Sequence, residues 1–308
     1  MEEAATPAGR QKLSEVQRAL SDQSFVSSVS STLPAFSGAA TEEELQAISV
    51  ARAALRDDAW VASRSDVELL PFARSCASGD ALVERLAETS AWRARVLPPA
   101  DDASWEFDHF FAANADRFFP NDELGERPFL EWVRARDGDA EDAPPMQLRG
   151  ASLLILRPGR HKVGAIDSDT WLRLIAWHGE RATTSWARRQ REQQLSSSGA
   201  AASSSADGAA AEGLGAVTLI VDRRGSGLRN QDPALLRALL PPLTRHFPYS
   251  LHMAYVAPIN VVFWAIWAVA RLALPRAVTQ RFMLLSGDDW RAQLDEALGP
   301  VVAARLPD

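Results

Sequence analysis

The feature that most constrains the fold is a long uncharged apolar run in the last part of the chain. No charged residue occurs from Met253 to Ala270. About 20 consecutive apolar residues are enough for a helix to cross a bilayer. The run can therefore be a membrane span, part of a buried core, or an apolar element at a surface.

Two residues inside the run argue against one continuous helix. Pro258 disfavours helical backbone at Ala257, the residue before it, and Asn260 adds a polar interruption. We therefore predict a strand over 252–257, a turn, and then a helix over about 261–274.

The predicted helix has no polar face. Trp264 and Trp267 lie one turn apart among aliphatic residues. A helix that is apolar on all sides is either fully buried or in contact with lipid. An exposed apolar patch marks a membrane or ligand surface, so these two tryptophans are candidates for function, with core packing as the alternative.

Composition excludes several classes of protein. The chain has 308 residues, 46% of them hydrophobic and 24% charged, as in a folded protein of one large or two modest domains. Its net charge of −7 argues against nucleic-acid binding. Cys76 is the only cysteine, and acidic residues at positions 2 and 3 do not suit a secretory signal, so we expect a cytoplasmic protein.

The first part of the chain predicts a small helical unit. Residues 1–40 are rich in Ser and Ala and suggest a flexible arm, and 41–125 suggest a helical domain. The expected helices run from a Thr41 cap to about Asp57, from an Asp66 cap through DVELLPFARSC with Pro71 kinking or interrupting it, over 81–96, and from Ser104 to Phe118.

The second part alternates between strands and helices. Strands are expected at 152–157, 216–222, 252–257 and 281–285, with helices at Ser168–Gln194 and Pro233–His246 and a low-complexity insertion at 195–213. Strands separated by helices predict an α/β fold with a largely parallel sheet. We assign this domain to 126–300 and a tail to 301–308.

An ordered set of motifs resembles a known family. These motifs are VTLIVDRRG (217–225), HFP (246–248), MAYVAPINVVFWAIWAVARLAL (253–274) and LPRAVTQRFMLLSGDD (274–289), preceded by DVELLPFAR (66–74), GDALVERLAETSAWR (79–93) and SLLILRPGRH (152–161). Together they resemble the CRAL-TRIO lipid-binding domain with its N-terminal helical domain. The resemblance covers 66–297.

The resemblance implies a sheet that encloses an apolar lipid pocket, closed by a movable gate helix near 261–274. It implies one bound lipid and no other cofactor or metal, transient peripheral contact with a membrane surface, and a monomer. The residues implied for the pocket and gate are Leu219, Val221, Tyr255, Val262, Phe263, Trp264, Ile266 and Trp267.

The polar positions depart from the family's phosphatidylinositol-binding members. Those members carry Glu-Arg where this chain has Tyr249 and Ser250, and a Lys where it has Arg281. Arg281, Tyr249 and Ser250 are therefore the candidate headgroup contacts. A different phospholipid, a sterol-like ligand and an isoprenoid remain equally open.

No catalytic motif competes with this interpretation. DRRGSG lacks the third glycine of a dinucleotide fingerprint, where Asn230 stands, and the histidines form no HxxxH or HExxH pair. We expect no enzyme activity. Lipid transfer is preferred over a ligand-free interaction or signalling module of the same fold, and over a protein anchored in a membrane by 253–275.

Overall fold

A computed structural model describes most of the chain. It covers residues 40–120, 127–134, 145–148, 151–199, 216–259, 263–264, 267, 279–299 and 302. The arm predicted for 1–40 lies outside the described residues except for Ala40, as do most of the 195–213 insertion, the 261–274 helix and the 301–308 tail.

Helices make up the first part of the described chain and separate the strands of the second. In chain order they are α1 (Glu42–Ala54), α2 (Ala59–Ser63), α3 (Asp66–Ser75), α4 (Gly79–Val96), α5 (Phe107–Ala113), α6 (Ser168–Gly199), α7 (Pro233–His246) and α8 (Trp290–Leu298). Because α6 extends to Gly199, the first residues of the insertion predicted for 195–213 are helical. The predicted bounds of α7 are confirmed.

Local hydrogen bonds explain where the first helices begin. Thr41 caps α1 as predicted: its Oγ1 accepts from the Glu44 N–H at 3.1 Å, and the Glu44 carboxylate accepts from the Thr41 N–H at 2.8 Å. The prediction that Asp66 caps α3 is wrong by one residue. Ser65 is the cap, because its N–H donates to Glu68 at 2.8 Å.

Two further expectations for this helical unit are corrected. Pro71 lies inside α3 and does not interrupt it, and the neighbouring Leu69 and Phe72 are buried in the helical core; the kink stays a prediction. The single helix expected from Ser104 to Phe118 is instead α5 with a short 3₁₀ turn on each side. The Asn114 side chain donates to the Phe110 carbonyl at 2.8 Å and so competes with continuation of α5.

The second part forms a mixed sheet. Its strands are β1 (Leu130–Trp132), β2 (Gln147–Leu148), β3 (Ala151–Leu156), β4 (Val217–Asp222), β5 (Leu251–Ala257) and β6 (Phe282–Leu284). The order is β1-β3-β4-β5-β6, with β2 also paired to β3. β3 to β6 are mutually parallel, as predicted, whereas β1 and β2 are antiparallel to β3.

Alternation along the strands gives the sheet two different apolar faces. On the first face, residues such as Leu154 and Leu156 pack with α5, α6 and α7. On the second face, Leu153, Ile155 and Ile220 pack against Leu294 and Leu298 of α8. The first face therefore carries the crossover helices.

The first residues of the membrane anchor considered above lie in an interior strand of the sheet. β5 is hydrogen-bonded to β4 on one side and to β6 on the other, so the first residues of 253–275 are strand and not helix. In the part of the chain that the structure covers, no helix is both long enough and apolar enough to span a bilayer.

Candidate functional site

An apolar cluster lies on the first face of the sheet beside the segment that follows β5. Its buried members are Val221, Val256 and Ile259. Partly buried around them are Leu156, Leu219, Phe263, Phe282 and Leu284. We call these eight residues the strand-end cluster. It brings together three of the residues that the sequence predicted for a pocket: Leu219, Val221 and Phe263.

The segment after β5 closes the strand-end cluster with aromatic rings. Phe263 and Trp267 each have helical backbone, and their rings stack at 6.2 Å between centroids. Trp267 also contacts Phe282 of β6 at 4.9 Å. Both rings therefore point toward the sheet.

Trp264 points in another direction. It follows Phe263 by one residue, which rotates its side chain about 100° around a helix axis. Its side chain is 48% exposed. The two tryptophans predicted as a pair therefore have different surroundings, one against the sheet and one in solvent. Val262 and Ile266 lie outside the described residues.

Tyr255 is not part of this cluster. Its neighbours in the strand, Ala254 and Val256, point to the first face, so Tyr255 points to the second. It packs there with Ile220 and Leu294. The structure thus separates Tyr255 from Leu219 and Val221, with which the sequence grouped it.

Arg223 is a cation that the sequence analysis did not select. It follows β4 directly, and its N–H donates to the Ala257 carbonyl at 2.7 Å. Its residue is 6% exposed, and its guanidinium lies 4.3 Å from the centroid of the Phe263 ring. Burial lowers the pKa of Arg223 to about 10.

The predicted headgroup contacts lie at the opposite ends of the strands from Arg223. Tyr249 and Ser250 precede β5, and Arg281 precedes β6, so all three are at the amino ends of the strands. Arg281 donates to the Leu251 carbonyl and lies 5.6 Å from the Tyr249 ring centroid.

The contacts of these three residues mainly stabilise the sheet. Tyr249 is buried, which raises the pKa of its hydroxyl to about 12. The Ser250 carbonyl accepts from the Val217 N–H at 3.0 Å. These contacts hold the start of β5 against β4 and β6.

The described residues of the site offer an apolar surface with the buried cation Arg223 beside it. Among the residues that the structure covers, no group of three side chains is placed to ligate a metal. Such a surface suits binding of an apolar molecule, held by contact area and by few polar groups.

Comparison with known proteins agrees with this geometry. A family model described as the CRAL/TRIO domain matches residues 148–301, which include β3 to β6, α6, α7, the strand-end cluster and Arg223. No curated protein matches the chain.

Proposed function

This chain belongs to the CRAL/TRIO domain family, and on that premise we propose that it binds one lipid molecule and exchanges it at a membrane surface. Domains of this family bind lipophilic ligands in general. The observation that carries the proposal is the strand-end cluster within the matched range, closed by Phe263 and Trp267 and bordered by the exposed Trp264.

The ligand's apolar part would lie on the first face of the sheet. Leu219, Val221 and Val256 form the floor, and Phe263 and Trp267 lie over it. Burial of an acyl chain contributes about 0.8 kcal/mol per CH₂ group. A lipid with acyl chains of ordinary length therefore needs few polar contacts to remain bound.

Exchange would occur through movement of the segment that carries these rings. Trp264 is exposed beside the cluster, and tryptophan favours the boundary between lipid and water. When Trp264 enters that boundary, Phe263 and Trp267 can exchange contacts with the sheet for contacts with acyl chains. Both environments are apolar, so the free-energy cost of opening is small at a membrane and large in water.

The proposed function requires no covalent chemistry. The chain lowers the free energy of a lipid in water by enclosing it, and a membrane lowers the barrier to release. A ligand-free interaction module of the same fold is the outcome that would replace this proposal.

Native mass spectrometry of the purified chain tests lipid binding directly. We expect one lipid per chain after incubation with vesicles of mixed composition, identified by organic extraction. A folded chain that carries no lipid under these conditions, and that does not speed transfer of lipid between vesicles, would contradict the proposal.

A further inference from the structure

We propose that the ligand carries an anionic head, a phosphate or a carboxylate, and that Arg223 binds it at the carboxyl end of β4. This inference rests on the proposed lipid binding and adds the charge of the ligand to it. The observation behind it is a buried guanidinium beside the strand-end cluster that the described residues leave without a counter-charge.

The burial of Arg223 is unusual for an arginine outside an ion pair. Only 6% of the residue is exposed, and its Nη1 is enclosed without a hydrogen-bond partner in the part of the chain that the structure describes. Its guanidinium contact is the face of Phe263, at 4.3 Å. A cation over an aromatic ring recovers part of the lost hydration but satisfies none of its N–H groups.

The carboxylate of the preceding residue pairs with another arginine. Asp222 precedes Arg223 in the chain, yet its two oxygens accept from Arg224, at 3.0 Å from Nε and 2.7 Å from Nη2. The Asp222 side chain is 1% exposed. Of the two consecutive arginines, Arg224 neutralises Asp222. Arg223 is therefore available to bind an anionic group from outside the described chain.

Arg223 keeps its charge at neutral pH. Burial lowers the pKa to about 10, which still lies above the pH of the cell interior. A buried charge is normally paired, and an arginine fork matches the oxygens of a carboxylate or phosphate. An anionic head supplies both the charge and the missing acceptors.

The position of Arg223 suits the head of a ligand whose chains lie on the cluster. Ligands of open parallel sheets bind at the carboxyl ends of the strands, where the hydrogen bond from Arg223 to Ala257 fixes the backbone. Phe263 contacts both Arg223 and the cluster. Movement of Phe263 would therefore expose the head and the chains of the ligand together.

Paired ligands that differ only in the head test the charge. The probes are dioleoylphosphatidic acid against dioleoylglycerol, and oleic acid against oleyl alcohol, each titrated into lipid-free protein. We expect the wild type to prefer the anionic member by about ten- to a hundredfold, the range of a charge-assisted hydrogen bond. Arg223→Met should abolish this preference while both neutral ligands still bind.

Two further comparisons separate binding from structure. Arg229→Met, in the same loop, removes an exposed arginine that lies over Phe119 and should keep the wild-type preference. Arg223→Met should raise the melting temperature of the lipid-free protein, because it removes a buried charge without a counter-charge. A lower melting temperature would show that Arg223 is already neutralised within the chain and would overturn the inference.

The outcomes distinguish this inference from the function on which it rests. If neither neutral nor anionic lipids bind the wild type, the proposed function fails. If both bind equally, or if Arg223→Met keeps the preference, only the role of Arg223 fails. If inorganic phosphate stabilises the wild type as well as phosphatidic acid does, the site takes a free anion and the lipid-head assignment is overturned.

Discussion

At the scale of single residues, two buried histidines are held neutral by their surroundings. Burial lowers the pKa of His178 to about 3 and that of His246 to about 4. His178 accepts from the Trp132 Nε1–H at 3.1 Å, which leaves its Nε2 to donate to the Trp105 carbonyl at 2.9 Å. The neutral ring thus satisfies both partners, and a proton on Nδ1 would break the first contact.

The burial of His178 predicts how stability depends on pH. Unfolded His178 binds a proton near its ordinary pKa of 6.5, whereas the folded protein resists protonation down to about 3. The free energy of unfolding should therefore fall as the pH drops below about 6.5. Between pH 7 and pH 5, His178 should lower the free energy of unfolding by about 2 kcal/mol.

Chemical denaturation at the two pH values checks this contribution. His178→Gln should lose about 2 kcal/mol less than the wild type between pH 7 and pH 5, whatever its stability at pH 7. His109→Gln, at an exposed position, should keep the wild-type difference. An unchanged pH dependence in His178→Gln would mean that His178 is not the group responsible.

Residue-scale roles were the hardest to predict from the sequence. The pair Arg223-Arg224 follows an apolar strand ending in Asp222, and the sequence does not show which arginine pairs with that carboxylate. Arg281 was chosen instead because a family position pointed to it, and in the structure it contacts the Leu251 carbonyl. Tertiary contacts determine which arginine forms an ion pair, whereas the pattern of a strand predicts only which face of the sheet each residue lies on.

At the scale of elements, sequence signals worked where they were local. The Thr41 cap predicted the start of α1, and the predicted start of α7 at Pro233 is also confirmed. The three-residue β1 and two-residue β2 were missed because strands so short carry no periodic pattern. The helix α8, which covers the second face, was also missed.

The helical segment after β5 yields a prediction that separates its two tryptophans. Trp264→Asp should change the free energy of unfolding by no more than about 0.5 kcal/mol, because the side chain is 48% exposed. Trp267→Asp should cost at least about 2 kcal/mol, because it removes the contacts with Phe263 and Phe282. Thermal and chemical denaturation measure both changes.

The same variants test the proposed exchange of lipid. Trp264→Asp should slow transfer between vesicles roughly tenfold, the factor that about 1.4 kcal/mol of interfacial binding represents. Leu236→Asp on α7, where the leucine is 50% exposed, is the matched control and should transfer at the wild-type rate. Equal slowing by both variants would indicate a general effect of added charge and remove the role assigned to Trp264.

At the scale of the whole molecule, a network of charges and rings joins the helical unit to the sheet domain. Arg93 of α4 donates to Glu180 of α6 at 2.9 Å and to the His246 carbonyl at 3.0 Å. Arg64 also reaches Glu180, at 2.9 Å. The Trp92 ring stacks on His246 at 4.3 Å. The order of the parallel strands and of α6 and α7 between them was predictable from the sequence, but this junction joins residues more than 80 positions apart and left no local signal.

Removal of Arg93 should show how much the contact between the helical unit and the sheet domain contributes to stability. The residue is 6% exposed and lies between the rings of Trp60 and Phe247, at 4.5 and 4.6 Å. Arg93→Ala leaves the partly buried Glu180 with Arg64 as its remaining described cation and removes the ring contacts of Arg93, so we expect a loss of about 3 kcal/mol in the free energy of unfolding.

A double-mutant cycle identifies the source of that loss. Arg93→Ala combined with Glu180→Ala should cost clearly less than the sum of the single variants, because the second change removes the charge that the first leaves uncompensated. Arg56→Ala, an exposed arginine of the same helical unit, should stay within about 0.5 kcal/mol of the wild type. Additive losses would mean that Arg93 acts through contacts other than Glu180, such as the rings of Trp60 and Phe247 and the His246 carbonyl. A shortfall from additivity would instead show that the helical unit and the sheet domain are held together through the ion pair between Arg93 and Glu180.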